Sequence, residues 1–165
     1  MRRILLVFMA AALFACNSQT NPKTDPAINA EAVKVIPDCN VALKFINDYV
    51  ALLTHLPSAV NEDDWVAHNS LLTDNFKTTY KDLLDSAQKA DPELGLDFDP
   101  ILDAQDFPDK GFELVNCDNE TGYVDVKGKE LNDFTLVLKL VRQNNKWLVD
   151  GSGVLNIPVG KRRKR

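Results

Sequence analysis

Apolar residues follow three rhythms along this chain. From Ile4 to Phe14 they run without a break. Between Asp38 and Ala90 they recur every three or four positions, as on one face of a helix. Beyond Pro108 they come in short runs rich in β-branched and aromatic residues, parted by Gly, Asn and Asp. In the helical stretch, Ala42, Phe45, Ile46, Tyr49, Leu52, Leu53 and Leu56 form one stripe, opened by Asp38 as N-cap and closed by Pro57. Asn61 to Trp65 has the acidic first turn of a short helix ending near His68. Thr73 caps a third helix, with Phe76, Tyr80, Leu83, Leu84 and Ala87 as its stripe and Asp91-Pro92 as its stop.

The later runs predict strands at Phe112–Cys117, Tyr123–Lys127, Phe134–Arg142 and Lys146–Val154. The third is apolar on both faces except at Lys139, which marks it as a central strand. Asn144-Asn145 tolerates positive φ and suits a tight hairpin into the fourth. Gly151 and Gly153 flank Ser152 with no helix after them, so a bulge or bend explains them better than a phosphate loop. Helices in succession followed by strands in succession predict an α+β layer fold on an antiparallel meander.

The first rhythm is not part of that fold. Eleven apolar residues behind Met1-Arg2-Arg3 are too few to span a bilayer and have the layout of an export signal. Leu13-Phe14-Ala15-Cys16 resembles the bacterial lipobox. The resemblance implies cleavage before Cys16 and acylation of that cysteine, which would make a stable membrane anchor. Asn17 in place of Asp implies, by the same resemblance, sorting to the periplasmic face of the outer membrane. Residues 1–15 are therefore read as a lipoprotein signal and 16–37 as the lipidated cysteine with a flexible tether. That tether reaches roughly 25 Å. Residues 38–158 are read as a single domain and 159–165 as a basic tail.

Composition sharpens this picture. The 165 residues are 45% hydrophobic and 26% charged, which excludes wholesale disorder and a polytopic membrane protein. Of the 19 basic residues, two lie in the signal and five in the Lys161–Arg165 tail, leaving twelve against 24 acidic residues. So acidic a body repels nucleic acid, and no nucleic-acid partner is expected; the tail suits anionic headgroups, an acidic partner or plain solvent. With Cys16 lipidated, Cys39 and Cys117 remain, and an oxidising compartment predicts their disulfide. Neither has the Cys-x-x-Cys spacing of a metal or redox pair.

Seven acids crowd residues 91–109 without a basic residue among them. They lack the EF-hand order of ligands, and as a carboxylate crowd they nominate no acid–base pair for glycoside hydrolysis. A solvated loop with Asx turns is the expectation. Trp65 and Tyr80 sit on apolar stripes and are expected in the core. No Gly-x-Ser-x-Gly, His-Glu-x-x-His or Walker pattern occurs, and no cofactor or metal is expected.

Asp99-Pro100-Ile101-Leu102-Asp103-Ala104-Gln105-Asp106-Phe107-Pro108, between helices and sheet, resembles the segment of a domain-of-unknown-function family of bacterial lipoproteins, the YbjP type. Phe134 to Val141 followed by Lys146 to Gly151 resembles the closing hairpin of the nuclear-transport-factor-two-like superfamily. Over roughly Cys39 to Pro158, the resemblance implies a cone: a curved antiparallel sheet wrapped on helices, with a cavity at its open end. It implies no single activity. The resulting expectation is a membrane-tethered, non-catalytic binding module for a small apolar ligand or a protein partner, of immunity or envelope-accessory type. Its candidate surface is Trp65, His68, Tyr80, Asp103, Gln105 and Asp106. The alternative is a cavity enzyme using His68 with an acidic residue.

Overall fold

The computed structural model describes residues 35–55 and 60–162. The expected signal, Cys16 and the tether up to residue 34 lie outside the described residues, as do residues 163–165 of the tail. Three helices precede four strands. Helix α1 is Cys39–Thr54, α2 is Glu62–His68 and α3 is Asp74–Ala90. Strands β1 (Phe112–Cys117), β2 (Tyr123–Gly128), β3 (Thr135–Gln143) and β4 (Lys146–Ser152) form one open antiparallel sheet in the order β1-β2-β3-β4. The fold is α+β.

Each helix starts where a short polar side chain can take an otherwise unpaired amide. Asp38 accepts from the Asn40 amide, Asn61 from Asp63 and Thr73 from Phe76. At the far end of α1, His55 is the C-cap, its amide donating to Leu52 and Leu53. α1 buries Ala42, Phe45, Ile46 and Tyr49 completely and lies against all four strands. Phe76 of α3 meets the Phe45 ring edge-on at 5.7 Å. Trp65, half-buried, packs against the core on Phe45 and Tyr49 at 5.9 and 5.6 Å, and Tyr80 is buried in it.

The sheet buries alternate residues: Val124 and Val126 of β2, then Leu136, Leu138 and Leu140 of β3. β3 lies between β2 and β4, as its two-sided apolar pattern predicts. Asn144 and Asn145 take φ of 49° and 63° in the β3–β4 turn. Register shifts mark a bulge at Val115 of β1 and another at Asp150 of β4. The β4 edge is partly covered: the Leu71 carbonyl accepts from the Val149 amide at 2.8 Å, and the Thr73 amide donates to the Val149 carbonyl at 3.1 Å. Cys39 and Cys117 form a disulfide with a Cα–Cα distance of 6.1 Å, tying the start of α1 to the end of β1.

The acidic stretch differs from a simple solvated loop. Ile101 and Leu102 are completely buried and Asp103 nearly so, while Asp97, Gln105, Asp106 and Asp109 face solvent. Asp99 and Ala104 exchange two backbone hydrogen bonds, at 2.8 and 3.3 Å, with Asp103 at φ 53° closing the turn between them. The turn is seated on the end of β4. The Ser152 hydroxyl donates to the Ile101 carbonyl at 2.8 Å and the Val154 amide to the Pro100 carbonyl at 3.0 Å. Gly153, at φ 58°, leaves no room for a Cβ against those two carbonyls. Two apolar residues pull the strip inward although acids surround them in sequence.

Candidate functional site

A chain of oxygen contacts crosses the helical half of the domain. The Tyr49 hydroxyl, projecting from α1, lies 2.6 Å from Glu62 Oε1 and 2.7 Å from Asp99 Oδ2. The Tyr80 hydroxyl of α3 lies 2.9 Å from the same Glu62 oxygen and 3.0 Å from Asp63 Oδ1. Asp99 Oδ1 meanwhile accepts the amides of Ile101 and Leu102 at 2.7 and 2.9 Å. Local rules put each member in place: Glu62 and Asp63 occupy the first turn of α2, and Tyr49 and Tyr80 lie on buried stripes.

Burial dominates the acid–base behaviour of this cluster. It pushes both phenols far above their ordinary range, and the neighbouring carboxylates push them further. Asp99 is pushed up to about 6, first by burial; hydrogen bonds from Tyr49 and from the Leu102 and Ile101 amides oppose that rise, while the charge of Glu62 adds to it.

Asp63 and Tyr80 also line a cleft of about 430 Å³ between α2 and α3. Val66, Ala67 and Leu84 supply apolar wall, and Lys77, Lys81, Asp64 and Asp85 supply charge. Lys81 is ion-paired with Asp85, one turn along α3.

The six candidate surface residues fall on three separate clefts. Tyr80 belongs to the one between α2 and α3. Trp65 and His68 line a second, of about 530 Å³, with Lys44, Asp48 and Leu71. Asp103, Gln105 and Asp106 line a third, of about 540 Å³, with Phe98 and Phe134. His68 is exposed at the end of α2, with Nδ1 2.8 Å from the Asp64 carbonyl one turn back; His55 has the same relation to Ala51 at 2.7 Å. Among the described residues no group of three or more His, Cys, Asp or Glu is arranged to hold a metal ion.

Tyr49, Glu62 and Asp99 were not among the candidates read from the sequence. The available signal was weak: Asp-Pro-Ile-Leu-Asp sets two aliphatic residues inside an acidic strip, which hints that one flanking carboxylate turns inward with them.

The start of the basic tail is seated rather than free. Val159–Lys161 forms a 3-10 turn, Lys161 Nζ lies 4.4 Å from the centroid of the Tyr123 ring, and Arg162 donates to the Val154 and Ile157 carbonyls at 3.0 and 2.8 Å.

Comparison with protein-family models, with curated proteins and with solved structures finds no match to this chain.

Proposed function

We propose that this protein is an exported bacterial lipoprotein, acylated at Cys16 and held at the periplasmic face of the outer membrane. Its domain is of the nuclear-transport-factor-two-like kind and akin to the YbjP-type lipoproteins. It acts as a binding module, with a small, largely apolar ligand in the cleft between α2 and α3. The observation that carries the binding role is that cleft: its volume of about 430 Å³ is in the usual range for small-molecule sites, and apolar residues with a few charges line it. Export is supported by the Cys39–Cys117 bridge, because such bridges persist in oxidising compartments. The superfamily reading is supported by the order of elements and by the bulges at Val115 and Asp150, which bend strands.

The test uses the full chain, purified from detergent-solubilised envelopes and examined by native mass spectrometry. A small co-purifying molecule, lost when Ala67→Trp fills the cleft from its exposed rim, is the expected result. A stoichiometric protein partner with an empty cleft would instead establish protein docking. Metabolic labelling with an alkyne fatty acid tests the anchor: label on the wild type and none on Cys16→Ser is expected, and label on both refutes acylation at Cys16.

A further inference from the structure

The contacts around Tyr49 need more hydrogens than the two tyrosines possess. Four oxygen–oxygen contacts of 2.6 to 3.0 Å join Asp99, Tyr49, Glu62, Tyr80 and Asp63. Each linear contact needs a proton between its oxygens, and each phenol has one to give. Asp63 is exposed and can turn to water, so its contact makes the weakest demand. The three inner contacts still require three protons, and Tyr49 and Tyr80 supply two. The third belongs to a carboxyl group.

Glu62 Oε1 is approached by both phenols and is best used as an acceptor from each. Asp99 divides its oxygens differently: Oδ1 receives two backbone amides, and Oδ2, among the described residues, faces the Tyr49 hydroxyl. A proton on Asp99 Oδ2 gives every inner contact one donor, running from Asp99 to Tyr49 to Glu62, with Tyr80 also donating to Glu62. Without it, the charges of Asp99 and Glu62 confront each other across one phenolic oxygen.

We infer that Asp99 retains a proton donated to Tyr49, and that this proton latches the Asp99–Ala104 turn to α1 and α2, so that the joint is tight in mild acid and weakens as the proton is lost. The groups facing the latch are Tyr49 from α1, Glu62 from α2 and Tyr80 from α3, with Asp63 behind Tyr80 and Asp103 within the same turn. Among the described residues no lysine or arginine is ion-paired with Glu62 or Asp99; Lys81, which feels Asp63, is held by Asp85. Because α2 forms one wall of the α2–α3 cleft, the latch also sets how firmly that wall is held.

The sign follows from linkage. The carboxyl of Asp99 titrates near 6 in the folded chain and at 3.8 ordinarily, so the folded state binds the proton more tightly. Its contribution is fully present below the ordinary value, declines as pH rises between the two and is gone above the folded value. Asp99→Asn imitates the protonated form, since its amide can donate to Tyr49 while its oxygen accepts the two backbone amides. Urea unfolding of the full chain at about pH 5 and about pH 7.5 provides the test. The unfolding constant of the wild type should rise about tenfold more between the two than that of Asp99→Asn; equal rises overturn the latch. A carbon-13 carboxyl titration of the wild type needs no variant: an Asp99 midpoint near 6 is expected, and a midpoint in the ordinary Asp range overturns it.

Discussion

Asp99 and Asp118 build the same local turn and titrate in opposite directions. Each uses one carboxylate oxygen to accept two amides, from residues two and three ahead: Ile101 and Leu102 for Asp99, Glu120 and Thr121 for Asp118. Those amide bonds favour the charged form in both. Around Asp118 the other oxygen accepts the Thr121 hydroxyl, solvent surrounds the turn and Lys161 is nearby, so the carboxyl is held down at about 2. Around Asp99 the other oxygen meets a buried phenol already in contact with Glu62, and burial overrides the same two amides. The turn motif alone therefore does not set the proton affinity of its aspartate. What the following two side chains do decides it, because burying them drags the carboxyl out of water.

The largest test of that account concerns those side chains. Leu102 is completely buried, whereas Glu120 is exposed. Leu102→Ala should cost about 2–5 kcal/mol of stability in urea unfolding, as deletion of a core aliphatic residue does. Glu120→Ala, at one of the two amide-donating positions of the other turn, should stay within about 0.5 kcal/mol. Comparable losses at the two positions would mean that burial does not distinguish the turns.

The second test separates the turns mechanically. Cys117 immediately precedes Asp118 and is bridged to Cys39, at the start of the helix that carries Tyr49. Replacing both cysteines by Ala should cost about 2–4 kcal/mol. The Asp99 midpoint should not move, since its partners Tyr49 and Glu62 are placed by the core and by the cap of α2 rather than by the bridge. A midpoint that drops with loss of the bridge would show that the two turns are coupled through α1.

Much of this frame is legible in the residues themselves. Asp38 and Thr73 announce two helix starts because a cap satisfies amides within its own first turn, the acidic turn from Asn61 to Trp65 announces a third, and the strand runs are recognisable because alternation is local. Asn144-Asn145 marks its hairpin for the same reason. The cysteine pair follows from an expected compartment and an even remainder once Cys16 is set aside. The cluster at Tyr49 was not legible, because its members are far apart in sequence: Tyr49 and Asp99 are separated by 50 residues. The aliphatic pair Ile101-Leu102 hints that a carboxylate beside it turns inward, but does not say whether that is Asp99 or Asp103, while Asp97 and Asp106 stay in water. In the sequence Tyr80 stands out as an aromatic on a stripe, but what gives it chemical interest is its hydroxyl, and a hydrophobic pattern is blind to that. Residue type alone puts Trp65, His68, Asp103, Gln105 and Asp106 in one group, and the fold distributes them over separate clefts.

The smallest effect is expected at Asp118 itself, and its sign is what matters. A carboxyl held below its ordinary value contributes stability that is present above that ordinary value and is lost as pH falls through the folded one, here about 2. Asp118→Asn keeps an oxygen for the two amides but removes the charge, so it should cost little at neutral pH. The gap between wild type and variant should then close as acid is added below about pH 4. Two neighbours brace the turn regardless of that charge: Lys139 donates to the Thr121 carbonyl and lies 4.5 Å from the centroid of the Tyr123 ring, and Lys161 also stands over that ring. Exposed cation–ring contacts of this kind contribute about 0.5–1 kcal/mol each. Melting temperatures of the two proteins across the acid range decide the matter. A wild type that leads Asp118→Asn at neutral pH and loses the lead in acid, where against Asp99→Asn it trails at neutral pH and catches up in acid, supports solvent exposure as the cause of the divergence. A gap that widens in acid would mean the Asp118 turn is not held by its carboxylate, and the likeness between the two turns would then be one of backbone shape alone.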